Sequence, residues 1–239
     1  MTLDQPAAVL PLRPPGFWWR VLSPVGAVLA SVVALIVAAG VLYAVTDMSD
    51  TAIGAVVTPL TSLLLLAFAF AIRRRLPAHE QRLALAIKGP PRRAVLIGVA
   101  VGLGIVLGAA IIISIGAAVD PVVERRLNEV EDIGTVPWQI VPMVIALVVL
   151  APLGEELLFR GLILRGLARR MRFWFAALIS STLFAAAHFD SWILWPRAVT
   201  LFGTGLALAW VYRRRGYWGS VAAHATVNTI AAIALIATS

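Results

Sequence analysis

Long apolar stretches, interrupted by short polar clusters, dominate this chain. They fall at residues 25–45, 52–72, 94–119, 138–164, 173–189, 192–212 and 218–237. Most approach the roughly 20 residues with which a helix crosses about 30 Å of hydrocarbon at 1.5 Å per residue. The pattern predicts an all-α fold: a polytopic membrane helix bundle of about seven transmembrane helices. The run at 173–189 is the shortest of them.

Composition agrees with this reading. Hydrophobic residues make up 61% of the 239 and charged residues 13%, against about 45–50% and about 25% in soluble domains. The net charge of +8 does not point to nucleic acid, because the bases alternate with acids from loop to loop. Arg73, Arg74, Arg75, Arg82, Lys88, Arg92 and Arg93 form one basic group; Arg165, Arg169, Arg170 and Arg172 a second; Arg213, Arg214 and Arg215 a third. The intervening loops carry Asp47 and Asp50, then Asp120, Glu124, Glu129, Glu131 and Asp132, with Arg125 and Arg126 as exceptions. The positive-inside rule produces such alternation. It predicts a multi-pass protein of the cell membrane with a cytoplasmic N-terminus and an external C-terminus. The absence of cysteine excludes disulfides, thiolate metal sites and cysteine nucleophiles.

Three regions follow. Residues 1–24 read as a cytoplasmic tail, 25–137 as transmembrane helices and loops, and 138–239 as the region carrying the chemistry. Within the second, residues 76–93 mix bases with Leu83, Leu85 and Ile87 and suit a short amphipathic piece along the membrane surface. Gly98, Gly102, Gly104 and Gly108 form small-xxx-small pairs that permit close helix approach.

Charged and polar side chains inside the apolar runs are the most informative residues. Glu155, Glu156 and Arg160 occur together in APLGEELLFRGL. Charged and unpaired at mid-membrane, they would cost about 8–10 kcal/mol on insertion scales, so partners, water or chemistry must compensate. Glu156 and Arg160 are four apart and share a helix face, where they can pair. Glu155 lies about 100° round from that pair and needs a partner from another helix. Pro152, just before the acids, frees backbone carbonyls and bends the axis. Phe184 and His188 share a face of the next run, and His224 and Asn228 share a face of the last. Each pair alone could be an interhelical hydrogen-bonding contact. Together they bring one carboxylate, two imidazoles and an amide from three helices. Counting rise from the basic side puts Glu155 about 15 Å deep, His188 about 22 Å and His224 about 9 Å.

The ordered set Glu155-Glu156-Arg160, Phe184-His188 and His224-Asn228 resembles the EExxxR, FxxxH and HxxxN motifs of the CPBP intramembrane proteases. These are the CAAX prenyl endopeptidases and bacteriocin-processing enzymes, also called the Abi family. The resemblance covers residues 138–237 and implies a membrane endopeptidase acting on a membrane-associated peptide or protein, lipidated in one branch of the family. It implies that Glu155 acts as general base and His188 polarises the attacking water. His224 and Asn228 would stabilise the oxyanion, while Glu156 and Arg160 orient the helix. Zinc is a candidate cofactor, since one carboxylate and two histidines match a catalytic zinc set in type. No HExxH is present, and direct glutamate-driven attack is favoured over a stable zinc site. A non-catalytic immunity or scaffold protein and a proton-coupled transporter are the competing expectations.

Overall fold

The structure is a computed structural model that describes residues 16–128, 137–188 and 195–237. Among these residues there is no strand; Ile87 and Gly216 form a single isolated bridge. Helix α1 spans Phe17–Val45, α2 Asp50–Arg74, α3 Ala78–Ala84, α4 Pro91–Val119 and α5 Pro121–Asn128. A long broken rod, α6, follows as Pro137–Ile145, Ala146–Leu150, Ala151–Glu155, Glu156–Leu164 and Arg165–Leu167. Then come α7 (Phe173–Ala186), α8 (Trp195–Arg215) and α9 (Tyr217–Ala237).

Among the described residues, four helices are long and apolar enough to cross a membrane: α1, α2, α4 and Trp138–Leu167 of α6. At 21 residues each, α8 and α9 also reach about 31 Å, although they carry more polar side chains. The 14 residues of α7 extend only about 21 Å, so this helix stops inside the bilayer thickness. The chain is a polytopic all-α bundle. Helix α1 begins at Phe17, within the stretch expected as a tail; residues 1–15 lie outside the described residues. So do Glu129, Glu131 and Asp132 of the acidic loop, as well as Phe189, Trp192 and their neighbours.

Local chemistry sets the ends of these rods. The Ser49 hydroxyl accepts the Ala52 N–H and caps α2, and Pro91 opens α4 at a position where its missing N–H costs nothing. Small residues bring α4 against α9. A Cβ at Gly98 would collide with the Gly219 carbonyl oxygen, and one at Gly102 would lie 2.6 Å from that of Ala223. Only glycine lets these backbones approach so closely.

The amphipathic piece is α3, which packs beneath α6. Its Glu80 is 8% exposed and accepts from Arg20 of α1 at 2.9 Å and from Arg169, just past α6, at 3.0 Å. The Tyr212 hydroxyl reaches the Leu83 and Ala84 carbonyls. Behind α3, the Tyr217 N–H bonds the Ala86 carbonyl and the Lys88 N–H that of Arg215. At this junction Gly216 has φ +79, a left-handed turn that favours glycine. These contacts gather the three basic groups at one end of the bundle.

Candidate active site

Two stretches of α6 depart from α-helical register: Ala146–Leu150 and Glu156–Leu164 are π-helical. Pro152 is a cause of the first. The Ala151 N–H bonds back five residues to the Ala146 carbonyl. In that register the Leu147 carbonyl would accept from residue 152, but proline has no N–H to give. The Asn228 side-chain amide of α9 supplies the donor instead, 2.8 Å from the Leu147 oxygen. Further along the rod, the Tyr217 hydroxyl donates to the Leu153 carbonyl at 2.8 Å. Tyr217, Ser220, His224 and Asn228 fall on one face of α9, so a single polar stripe runs along the broken rod.

At the centre of the stripe sits Glu156, fully buried. Its Oε1 accepts from Arg160 Nη1 at 2.8 Å and lies 2.9 Å from His224 Nδ1. Its Oε2 accepts from the Ser220 hydroxyl. Arg160, itself 1% exposed, also donates to the Gly205 carbonyl at 3.3 Å, and its guanidinium stacks 4.5 Å from the centroid of the Phe184 ring. The expected Glu156–Arg160 pair is therefore present. Its carboxylate also does something the sequence did not reveal: it holds the His224 imidazole. A carboxylate paired with Arg160 accepts from Nδ1–H, which turns Nε2 outward.

That outward nitrogen faces Glu155. His224 Nε2 lies 3.9 Å from Glu155 Oε2, so the group that Glu155 faces from another helix is His224, beyond hydrogen-bond reach. The same oxygen is buried without a hydrogen-bond partner. Buried polar atoms are rarely left so, and an exception marks a strained, catalytic or hydrated position.

His188 joins through Phe184. Its ring lies 5.0 Å from the Phe184 ring and that of His224 5.7 Å from it, centroid to centroid. Because α7 ends at Ala186, His188 sits in the turn just beyond it, with its N–H on the Ala185 carbonyl and Nδ1 2.9 Å from the Phe184 carbonyl. A carbonyl only accepts, so Nδ1 carries the proton and Nε2 is the basic nitrogen of the neutral ring. The short helix thus delivers an oriented imidazole at membrane depth.

Glu155, Glu156, Arg160 and His224 meet directly, Phe184 links His188 to His224, and Asn228 binds a backbone carbonyl. Sequence reasoning missed Ser220 and Tyr217; their i, i+3, i+7 spacing with His224 was the available signal. Among the described residues, no three His, Asp or Glu side chains come together as a metal-ligand set. Glu156 occupies His224 Nδ1 and the Phe184 carbonyl occupies His188 Nδ1. Both arrangements leave Nε2 free, the orientation a metal-ligating histidine also uses; among the described residues these nitrogens and a carboxylate do not gather as a ligand set, and no step below is routed through zinc.

Beside the cluster, an apolar cleft of about 380 Å³ opens between α1 and α7, walled by Val25, Val28, Val32, Phe159, Leu183 and Ala187. The Phe159 ring packs edge-on against Phe184 at 5.2 Å, so the inner wall of the cleft is continuous with the aromatic ring that both histidines touch.

Fold and cluster together define a multi-pass membrane protein with a buried glutamate–histidine site. Residues 137–230 match the family model described as type II CAAX prenyl endopeptidase Rce1-like, and this stretch contains all three motifs. The chain is also similar to "Putative membrane peptidase YdiL" of Bacillus subtilis (strain 168), with 34% identity over 97 residues, which are 40% of this chain. The match spans 38% of that relative's length. No solved structure matches the chain.

Proposed function

We propose that this protein is an intramembrane endopeptidase of the CAAX-protease type, hydrolysing peptide bonds of membrane-associated substrates. The observation that carries the reading is the buried, unpartnered Oε2 of Glu155, 3.9 Å from His224 Nε2. A helix brace explains Glu156, Arg160 and Ser220, all of which are satisfied; it leaves that oxygen without a purpose.

In the proposed reaction, a water set by Glu155 and the His188 Nε2 gives its proton to Glu155. Its oxygen then bonds to the scissile carbonyl carbon. His224, held from behind by Glu156, presents Nε2 to the oxyanion when the ring is protonated. Collapse breaks the C–N bond, and the proton on Glu155 passes to the leaving amine. Asn228 serves this reaction by fixing the π-helical turn through Leu147, and its second amide N–H is the one assigned to the oxyanion. The apolar cleft suits the hydrocarbon part of a bilayer-resident substrate, including a lipidated one. The gathered basic residues support a reading in which their end of the bundle, with the N-terminus, faces the cytoplasm across the cell membrane.

Comparison of peptide termini in membranes carrying wild type or Glu155→Gln tests the proposal. Termini lost in the variant identify substrate and cut site together. Retained turnover in Glu155→Ala, His188→Ala and His224→Ala, at normal expression, would overturn it. Metal content of the active purified protein tests zinc separately: about one zinc per chain, lost together with activity on chelation, would replace this mechanism.

A further inference from the structure

Ser220 sits four residues before His224 on α9 and is fully buried. Its hydroxyl has one proton and two acceptors within reach, Glu156 Oε2 and the Leu208 carbonyl, the latter at 3.2 Å. The carboxylate is the closer of the two, and a bond to an ionised acceptor is roughly twice as strong as one to a neutral group. The proton therefore goes to Glu156.

The consequence concerns the plane of that carboxylate. Arg160 and His224 both bind Oε1. The terminal torsion of a glutamate is broad, so bonds to one oxygen leave the group able to swing about them. The Ser220 bond to Oε2 closes the second point and fixes the plane. Fixing it keeps Oε1 on Nδ1 of His224, and hence keeps Nε2 turned towards Glu155. Packing alone does not require the hydroxyl, since alanine would fill the same small space beside Leu208.

We infer that Ser220 is a positioning residue for His224, acting through the Glu156 carboxylate. The inference rests on the proposed reaction only for its effect on rate; the geometric part stands by itself.

The test combines histidine NMR with kinetics on the full chain in micelles. The chain has three histidines, so 15N-histidine labelling with His188→Ala and His79→Ala spectra assigns the His224 resonances. The variants are Ser220→Ala, and the near-isosteric pair Ser220→Thr and Ser220→Val, which differ in the hydroxyl. Thermal unfolding of each variant checks that it is folded. In wild type, His224 Nδ1 is expected to give one resonance of a protonated nitrogen bonded to a carboxylate. Ser220→Ala and Ser220→Val should shift or split it, while Ser220→Thr keeps it.

With a quenched-fluorescent farnesylated CAAX peptide as probe, Ser220→Ala should lower kcat roughly 10-fold at unchanged KM, as loss of an outer-shell partner does elsewhere. Ser220→Thr should regain more of it than Ser220→Val. A His224 spectrum in Ser220→Ala identical to wild type overturns the inference, whatever the probe shows. If instead wild type and Glu155→Gln both leave the probe and the membrane peptide termini uncut while the spectra change as expected, the peptidase reading fails and the positioning role stands.

Discussion

Removing Arg160 should damage this protein in a way that removing its partner as well partly repairs. Arg160 is 1% exposed and Glu156 wholly buried, and they are joined at 2.8 Å. Breaking a buried pair by deleting one member costs about 3–5 kcal/mol, because the other charge stays behind without its counterion. In Arg160→Met that charge is Glu156, with Ser220 and His224 as its remaining bonds. In Glu156→Gln it is Arg160, left with the Gly205 carbonyl and the Phe184 ring face. For a chain of this size, such a loss corresponds to a fall of about 6–20 °C in apparent Tm. The double variant Glu156→Gln/Arg160→Met buries no charge at this place and retains an amide for Ser220 and His224. It should be more stable than either single variant by at least about 1–2 kcal/mol, since replacing a buried pair whole is often neutral. Unfolding in micelles, followed by tryptophan fluorescence, measures all four corners of the cycle. Losses that merely add would refute the buried-pair reasoning. Activity should behave differently: the double variant regains stability and not turnover, because a neutral amide holds the Nδ1–H of His224 less firmly than the carboxylate does. A fully active double variant would show that Glu156 serves only as a brace.

Glu155→Gln should leave folding unchanged and cut peptide turnover by about 10²–10⁴, the range for losing a positioned general base; a smaller loss in a substrate assay speaks against that role. Asn228→Leu strips the Leu147 carbonyl of its donor and should cost about 1–3 kcal/mol in unfolding experiments. An unchanged midpoint would mean that another donor reaches this oxygen. Gly102→Ala places a methyl 2.6 Å from the Ala223 oxygen and 2.7 Å from Thr226 Cβ, so α4 and α9 must part. The expected cost is about 1–3 kcal/mol, with no change expected at the matching Gly104→Ala, where a Cβ meets nothing within 4 Å. Glu80→Ala removes the carboxylate shared by Arg20 and Arg169 and should speed tryptic cleavage at Arg82, read by limited proteolysis at matched expression.

The bundle was legible in the sequence because long apolar runs have few other solutions in a bilayer: every backbone group must be paired within the segment. Apolarity marked α1, α2, α4 and the α6 rod well. It marked the last helices less sharply, since α8 and α9 spend part of their length on polar neighbours and α7 is too short to span alone. Helix starts were the weakest reading. The first apolar run begins at residue 25, whereas α1 begins at Phe17, and Arg20 is drawn inward to a glutamate sixty residues away. Nothing local to residue 20 signals that partner.

Within the site, residue type and helical spacing found the titratable groups. They did not find what connects them. Glu156 and Arg160 at i, i+4 explain each other so completely that a third and fourth contact, from Ser220 and His224, goes unsuspected. Serine on an apolar helix reads as a small packing residue, and only its burial against a carboxylate shows otherwise. The π-helical turn has the same character. Pro152 announces a missing donor, but which carbonyl goes without depends on register, and the amide that answers it lies 76 positions later at Asn228. The depths counted along straight rods separated Glu155 from His224 by about 6 Å, yet their side chains face each other at 3.9 Å. Reaching side chains and a broken, re-registered rod close that gap. The break in α6 and the polar stripe of α9 therefore depend on each other. Without the stripe, the Leu147 carbonyl would lose its side-chain donor; without the break, the Asn228 amide would have no open carbonyl to meet.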